Sequence, residues 1–215
     1  MLEMMMGGHG QAAEGLLLID WREGSAASIV YDQVSKIRLT CGSAGNITTD
    51  PDLGSCYYPK ASSIGFIQSA SPALHPIDLT LPSWELSVEL KLSTASQGRV
   101  VMSQAASMTG GGGWYLELAG SRLFRFWYKD ATNNWRSILS GTSAPTALKV
   151  IIRIVREGSK LTMYQRSSIV AATTSNVSFN GLALPIAIGC WSDSTTSNPW
   201  NDAIGKIRFF VPTAQ

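Results

Sequence analysis

The chain has 215 residues, of which 45% are hydrophobic and 15% are charged, a length that a single all-β domain commonly reaches. Its 17 lysines and arginines nearly balance 15 aspartates and glutamates, giving a net charge of +2, so nothing suggests the concentrated positive patch with which proteins bind nucleic acids. The longest apolar run falls far short of the roughly 20 residues that a membrane-spanning helix needs, and membrane insertion is not expected.

The first predicted segment is an N-terminal arm, residues 1–14, ahead of a domain that spans residues 15–215. The arm lacks the basic start and the apolar run of a secretory signal, which predicts a protein made in a cytoplasm and not exported. Met4, Met5 and Met6 are consecutive, and methionine side chains fit irregular apolar grooves. Ordering the arm costs about 1–2 kcal/mol per residue, so either a neighbouring subunit or the domain's own surface must cover these methionines. We favour the neighbouring subunit.

Short strand patterns separated by polar turns fill the domain, with almost no helical periodicity. In chain order they cover residues 16–20, 36–40, 84–92, 98–103, 114–118, 123–128, 148–156, 160–166, 169–174, 184–190 and 204–211. The proline-rich residues 50–83 are expected to be irregular. About ten short strands with turns between them predict an all-β sandwich or barrel.

The glycine-rich run GGGGWYLELAGSRLFRFWYKD, residues 110–130, is predicted to open a β-hairpin. A phosphate-binding loop would need a helix after the glycines, whereas the residues that follow alternate with period two. The alternation separates Trp114 from Tyr115 in the first strand and Phe126 from Trp127 in the second. A second hairpin is predicted around the turn at residues 157–159.

The cysteines do not predict a disulfide framework or a zinc site. Cys41, Cys56 and Cys190 are few and unevenly spaced, and there is no C-x-x-C pair. A bridge between Cys41 and Cys56 is one alternative, and three buried free thiols are the favoured one.

The order of the predicted strands resembles the laminin G-like, concanavalin A-like jelly-roll family. The runs SWELSVELKLS, GRVVMSQ, GWYLELAGSRLFRFWYKD, LKVIIRIVREGSKLTMYQRSSIVAATT, LPIAIGC and IGKIRFFVP follow that family's order over residues 15–212. The resemblance implies a two-sheet antiparallel jelly-roll sandwich whose opening LLLID strand pairs beside the last strand. The sequence departs from the pattern at residues 165–168, where the family has an Asp-Gly turn, and at Gly205 and Lys206, where it has an acidic residue.

One strand also resembles the E-x-D-x-E strand of laminarinase-type glycoside hydrolases, which share this fold. There two glutamates act as nucleophile and acid/base with carboxyls about 5 Å apart. Here Ser87 stands between Glu85 and Glu89 in place of the aspartate, which removes a charge that would tune the pair. We interpret Glu85, Ser87, Glu89 and Lys91 as the polar face of a half-exposed strand, and we assign no catalytic residue.

A long loop near the C-terminus gives the strongest binding signal. Tryptophan faces stack on sugar rings, and small polar side chains bond to hydroxyls. The candidate ligand-binding residues in this loop are Trp191, Asp193, Asn198, Trp200 and Asn201. The alternative is that the two tryptophans plug the end of the sandwich and that loop composition explains the polar residues.

Two extensions of this candidate site follow from the same sequence. Trp114 and Trp135, together with Trp127, either enlarge the ligand surface or belong to the core and interfaces. Asp193 and Asp202 are candidate ligands for Ca²⁺, because hard cations take carboxylate oxygens. Ca²⁺ is the only cofactor that the sequence suggests.

Three functions are compatible with these observations. The first, which we favour, is a non-enzymatic virion structural protein, such as a phage capsid decoration or tail component, that packs against other virion subunits or itself and contacts host-cell glycans. Resemblance to phage proteins built on such domains implies the virion setting, and abundant Trp, Met and Arg are typical of interfaces. The second is a free carbohydrate-binding lectin, and the third is a laminarinase-type glycoside hydrolase.

Overall fold

The computed structural model describes residues 14–21, 29–31, 34, 38–41, 46–58, 66–68, 77–92, 99–105, 112–173, 177, 179, 185–189, 200 and 202–211. These residues are almost entirely in strands, which confirms the predicted all-β fold. Met4, Met5 and Met6 lie outside the described residues. The strands are β1 (Glu14–Ile19), β2 (Ile29–Tyr31), β3 (Arg38–Cys41), β4 (Asn46–Asp50), β5 (Gly54–Tyr58), β6 (Phe66–Gln68), β7 (Ser83–Lys91), β8 (Arg99–Ala105), β9 (Gly112–Leu118), β10 (Phe124–Lys129), β11 (Trp135–Leu139), β12 (Lys149–Glu157), β13 (Lys160–Gln165), β14 (Ser168–Thr173), β15 (Ala187–Ile188) and β16 (Ala203–Val211).

The strands form two eight-stranded antiparallel sheets. The first sheet has the order β14-β13-β12-β7-β16-β5-β4, and β1 pairs with β16 as well. The second sheet has the order β11-β10-β9-β8-β15-β6-β3-β2. In the first sheet, β1 runs beside β16 from the pair of Glu14 and Val211 to the pair of Ile19 and Ile207. The prediction that the first and last strands are neighbours in a two-sheet sandwich is therefore confirmed.

The core lies between the sheets because each long strand turns alternate apolar side chains inward. In β7, Trp84, Leu86, Val88 and Leu90 are fully buried, as the period of two predicts. Trp84 contacts aromatic rings from both sheets and from a connecting segment, with ring centroids 6.3 Å from Phe126, 5.9 Å from Phe209 and 5.7 Å from Phe179. The two layers thus share one aromatic centre.

Two strands, β5 and β6, lie in the segment that was expected to be irregular. β5 pairs with β4 from the Asn46–Tyr58 pair to the Asp50–Gly54 pair, and Gly54 takes the left-handed backbone (φ 72°) that a tight turn needs. Pro51 lies in the turn that precedes β5, outside the strand, so it does not disrupt the strand. Local composition was therefore a poor guide here.

A bulge in β16 determines which of its side chains face outward. The register with β7 shifts between Ile204 and Ile207. Gly205 lies in this bulge, where an added Cβ would approach the Glu89 Cβ to 3.0 Å and the Leu53 Cδ2 to 3.1 Å, and its carbonyl accepts a hydrogen bond from the Trp21 indole (2.7 Å). Close packing thus explains the glycine at this departure from the family pattern.

The described cysteines do not form the alternative bridge. Cys56 is a free, fully buried thiol in the first sheet, and burial raises its pKa. Cys41 lies in β3 of the second sheet, and Cys190 is outside the described residues. No helix in the described part of the chain is long and apolar enough to cross a membrane.

Candidate functional site

Three aromatic side chains meet on the outer face of the second sheet. Tyr115 of β9 is the direct cross-strand partner of Trp127 of β10, and their rings stack with centroids 5.9 Å apart. Trp135 of β11 meets both rings edge-on, at 5.5 Å from Tyr115 and 6.5 Å from Trp127. Tyr115 is buried beneath the group, whereas both tryptophans are partly exposed. We call these three residues the aromatic surface.

Charged side chains hold the aromatic surface in place. The Arg125 guanidinium lies 5.2 Å from the Trp127 ring centroid, and the Lys129 ammonium lies 5.2 Å from that of Trp135. Glu117 accepts a hydrogen bond from the Trp127 indole N–H (2.8 Å) and pairs with Arg125 at 3.6 Å. Because both indoles have partners, the surface is preformed, which lowers the entropic cost of binding.

The turn between β10 and β11 positions Trp135, and Asp130 organises it. Its Oδ1 accepts bonds from the backbone N–H groups of Thr132 (3.0 Å) and Asn134 (2.9 Å) and from the Thr132 hydroxyl (2.7 Å). Its Oδ2 accepts one from Arg136 Nε (2.9 Å). The hydrogen bond from the Thr132 hydroxyl, with those from Asn134 and Arg136, lowers the pKa of Asp130 to about 2.

We expect Asp130→Asn to reduce the acid sensitivity of the fold. The folded pKa lies below the unfolded value of about 3.9, so the carboxylate stabilises the protein fully above that value and loses this contribution as pH falls through about 2. Urea unfolding at pH 7 should show the variant to be less stable than the native chain, and the gap should narrow from about pH 4 downward. Parallel stability curves across that range would contradict this role.

Two of the tryptophans predicted to bind a ligand face the core instead. Trp114 is only 1% exposed, packs against Phe126 with centroids 5.8 Å apart, and donates its indole N–H to Gln104 Oε1. Trp200 is fully buried in the same core. Both are therefore removed from the candidate surface, because no ligand can reach their rings. Of the three hairpin tryptophans, Trp127 and Trp135 remain accessible.

Most of the predicted loop site lies outside the described residues, namely Trp191, Asp193, Asn198 and Asn201. Asp202 lies within the described residues, and its side chain is fully buried in the interior of the protein. Among the residues with described positions, no group of three or more His, Cys, Asp or Glu side chains is placed to hold a metal ion. Calcium binding through Asp193 therefore stays a prediction.

The sequence reasoning missed the partners that build the aromatic surface. Tyr115, Arg125 and Lys129 were not considered as site residues, although each carries a usable signal. Arg125, Trp127 and Lys129 are in phase along β10, so a tryptophan between two charged residues belongs to the outer face. The apolar phase of the same strand, which contains Phe124, Phe126 and Tyr128, is buried.

The outer face of the first sheet is polar, as predicted for β7, but its carboxylates are engaged. Arg153 donates from Nε and Nη2 to the two oxygens of Glu85, both at 2.6 Å, and Lys149 pairs with Glu89 at 2.9 Å. Lys91 pairs with Asp52 at 2.7 Å. Glu85 is only 9% exposed, so the expectation of a half-exposed, solvated face is corrected at that position by its ion pair with Arg153.

The sequence matches no protein-family model and no curated protein. Solved structures with the same fold include the binding domain of Paraclostridial Mosquitocidal Protein 1 (TM-score 0.71, 10% identity, 94% of this chain and 49% of that one). Another is domain 4 of AbnA, a GH43 extracellular arabinanase from Geobacillus stearothermophilus, in complex with arabinotriose (TM-score 0.65, 13% identity, 94% of each chain).

A third structure with this fold is the binding domain of botulinum neurotoxin DC in complex with SialylT (TM-score 0.61, 12% identity, 94% of this chain and 48% of that one). The chain thus spans about half the length of the toxin binding domains that it matches, and nearly all of the arabinanase domain. At these identities the likeness establishes the fold: a two-sheet β-sandwich of the kind found in binding domains.

Proposed function

We propose that this chain is a non-enzymatic glycan-binding β-sandwich and that the sugar contacts the aromatic surface. The observation that carries the proposal is that Trp127 and Trp135 stay partly exposed on the outer face of the second sheet, where they pack against the small buried cluster of Val100, Ala105 and Tyr115. Partly exposed, rigidly held indoles present the apolar area on which the C–H faces of sugar rings pack.

Polar groups around the aromatic surface match the hydroxyls of a sugar. Ser137 is the cross-strand partner of Trp127 and is exposed. Arg125 and Lys129 lie over the indole rings and carry N–H donors. A few donors placed around an apolar platform are the usual composition of a small-ligand site. The neighbouring folds support the same class of function, since the arabinanase domain was solved with arabinotriose and the toxin domain with SialylT.

The experiment is a glycan-array screen of the purified chain, followed by titration of the best oligosaccharide against Trp135→Ala. We expect at least about tenfold weaker binding, because hot-spot aromatic residues contribute about 2 kcal/mol or more. Trp135 lies on β11, the edge strand of its sheet, so the fold should persist, which circular dichroism verifies.

The matched control is Ile169→Ala, which removes a 60% exposed apolar side chain from β14 of the other sheet and should leave the affinity unchanged. Equal affinity of Trp135→Ala and the native chain would place the sugar elsewhere. If no glycan on the array bound the protein, the proposed glycan-binding function would be contradicted. Release of reducing sugar from laminarin would instead favour the glycoside hydrolase alternative.

The setting that we propose for this activity is a virion, in which the chain packs against other subunits or itself as a phage capsid decoration or tail component. The support comes from the sequence: the resemblance to such phage domains, and the methionines of the arm, which need a covering surface. A mass measurement in solution tests this setting. We expect the full chain to form an oligomer and a chain without residues 1–13 to lose it. A compact monomer with sharp glycan selectivity would favour the free lectin.

A further inference from the structure

A second charged surface lies on the sheet opposite the aromatic surface. An open depression of ≈ 280 Å³ lies on the outer face of β7, β12 and β16. Its lining consists of three cationic side chains, two carboxylates, one hydroxyl and two apolar side chains: Arg153, Lys206, Arg208, Glu85, Glu89, Ser87, Ile151 and Phe210. The glycan proposal does not use any of these residues, and the virion proposal does not need them.

The sheet register aligns three of these side chains in one row. Ser87 is the direct cross-strand partner of Arg153 in β12 and of Arg208 in β16. Directly opposed side chains share a face, with Cβ atoms about 4.5–5.5 Å apart. A single hydroxyl therefore lies between two arginine side chains. We call these three residues the cationic row.

The carboxylates beside the cationic row do not neutralise it. Glu85 is occupied by Arg153 and Glu89 by Lys149, so each glutamate already has its own cation. Lys206 lies 3.7 Å from Asp20, a loose pair. Arg208 is exposed, and no carboxylate within the described ranges pairs with it. The depression thus holds positive charge in excess of its partners.

The serine at this position is what leaves the row cationic. In the laminarinase-type motif an aspartate occupies the middle of the E-x-D-x-E strand, and Ser87 takes that place here. Because Arg153 is already paired with Glu85, an aspartate at this position would accept hydrogen bonds from Arg208 and cancel the charge that has no carboxylate partner within the described ranges. Serine instead adds an O–H donor between two guanidinium-bearing side chains.

Apolar and acceptor groups next to the row fit the rest of a sugar. Phe210 is the cross-strand partner of Glu85 in the adjacent row and is partly exposed. Its ring offers area for a pyranose face, while the Glu89 carboxylate, whose salt bridge to Lys149 uses one oxygen, can accept a bond from a hydroxyl. A bare inorganic anion would use none of these groups.

We propose that the cationic row binds the carboxylate or sulfate group of an acidic saccharide. Ser87 and Arg208 donate hydrogen bonds to the oxyanion, and Phe210 packs against the sugar ring. This site is separate from the aromatic surface, so either one can fail without the other.

The test is isothermal titration with trigalacturonate, a monosulfated galactotriose and uncharged galactotriose at low ionic strength. At least one acidic probe should bind at least about tenfold more tightly than the uncharged one, and its affinity should fall with added salt because the contact is electrostatic. Both Ser87→Asp and Arg208→Gln should weaken that binding at least about tenfold, with circular dichroism and thermal unfolding confirming the fold.

The control is Lys160→Gln, which removes one positive charge from an exposed residue of β13 outside the depression and should bind as the native chain does. If Lys160→Gln and Arg208→Gln lost equal affinity for the acidic probe, the protein's net charge would explain the binding, and the proposed site would be overturned. Failure of both acidic probes to bind would overturn it as well. Trp135→Ala should keep the acidic probe; loss there would assign that probe to the aromatic surface and overturn the cationic row.

Discussion

Replacing Trp84 by alanine is expected to lower the free energy of unfolding by about 4 kcal/mol, as large-to-small changes at buried aromatic residues do. The indole is fully buried and its ring contacts Phe126, Phe179 and Phe209. Its N–H also donates to the Leu79 carbonyl at 3.1 Å. The substitution therefore opens a cavity between the sheets and removes a buried hydrogen bond at once. Urea unfolding followed by fluorescence and circular dichroism measures the change.

The control for this prediction is Trp84→Phe. It keeps an aromatic ring among its neighbours but loses the N–H and part of the volume, so about half of the destabilisation is expected. A loss below about 1 kcal/mol in Trp84→Ala would mean that the sandwich collapses around the missing ring. The aromatic centre would then not be the feature that joins the two sheets.

Alternation along strands explains how much of the fold the sequence could predict. Trp114 and Trp127 lie in one hairpin and have opposite environments, because Trp114 is in phase with Leu116 and Leu118 while Trp127 is in phase with Arg125 and Lys129. The two-residue period of a strand predicts this difference in burial from the sequence alone. It also predicted the two hairpins and the apolar face of β7, all of which the strand registers confirm.

The cationic row was beyond the reach of the sequence because it depends on register between distant strands. Ser87 meets Arg153 and Arg208 only through the pairing of β7 with β12 and with β16. A one-residue slip of either pairing would turn the arginine to the other face of the sheet. The bulge at Gly205 sets the register between β7 and β16, and the presence of a glycine in a strand does not predict which residue of another strand it will face.

Loop residues were the other failure of prediction. Trp200 is not part of a strand pattern, and the polar residues around it in the sequence favoured a ligand-binding role. The structure shows instead that its side chain is fully buried. Isolated loop residues carry no period from which burial can be read. For Trp191 and Asp193, outside the described residues, the sugar-binding and calcium-binding roles stay predictions.

Replacing Arg156 by alanine is expected to lower the free energy of unfolding by about 3 kcal/mol. Its guanidinium donates hydrogen bonds to backbone carbonyls of three different segments. Nη1 donates to the carbonyls of Leu79 (2.7 Å), Thr80 (3.0 Å) and Leu81 (2.9 Å). Nε donates to the Gly158 carbonyl (2.9 Å), and Nη2 donates to the Val177 carbonyl (3.2 Å). Burial lowers the pKa of this group, and its Cζ atom lies 4.9 Å from the Phe179 ring centroid. Removing it takes one hydrogen-bond donor from each of these five carbonyl oxygens, some of which lie in partly buried positions.

Arg156→Lys separates charge from geometry at this position. A lysine keeps the charge but has no planar fork to reach several carbonyls at once, so it should restore less than half of the loss; full restoration would show that charge alone matters. The Leu79 carbonyl accepts bonds from both Trp84 and Arg156, so the two alanine variants should not be additive. A double-mutant cycle by urea unfolding should give a coupling energy of about 1 kcal/mol, and a value near zero would mean that the segment at Leu79 is held independently by each side chain.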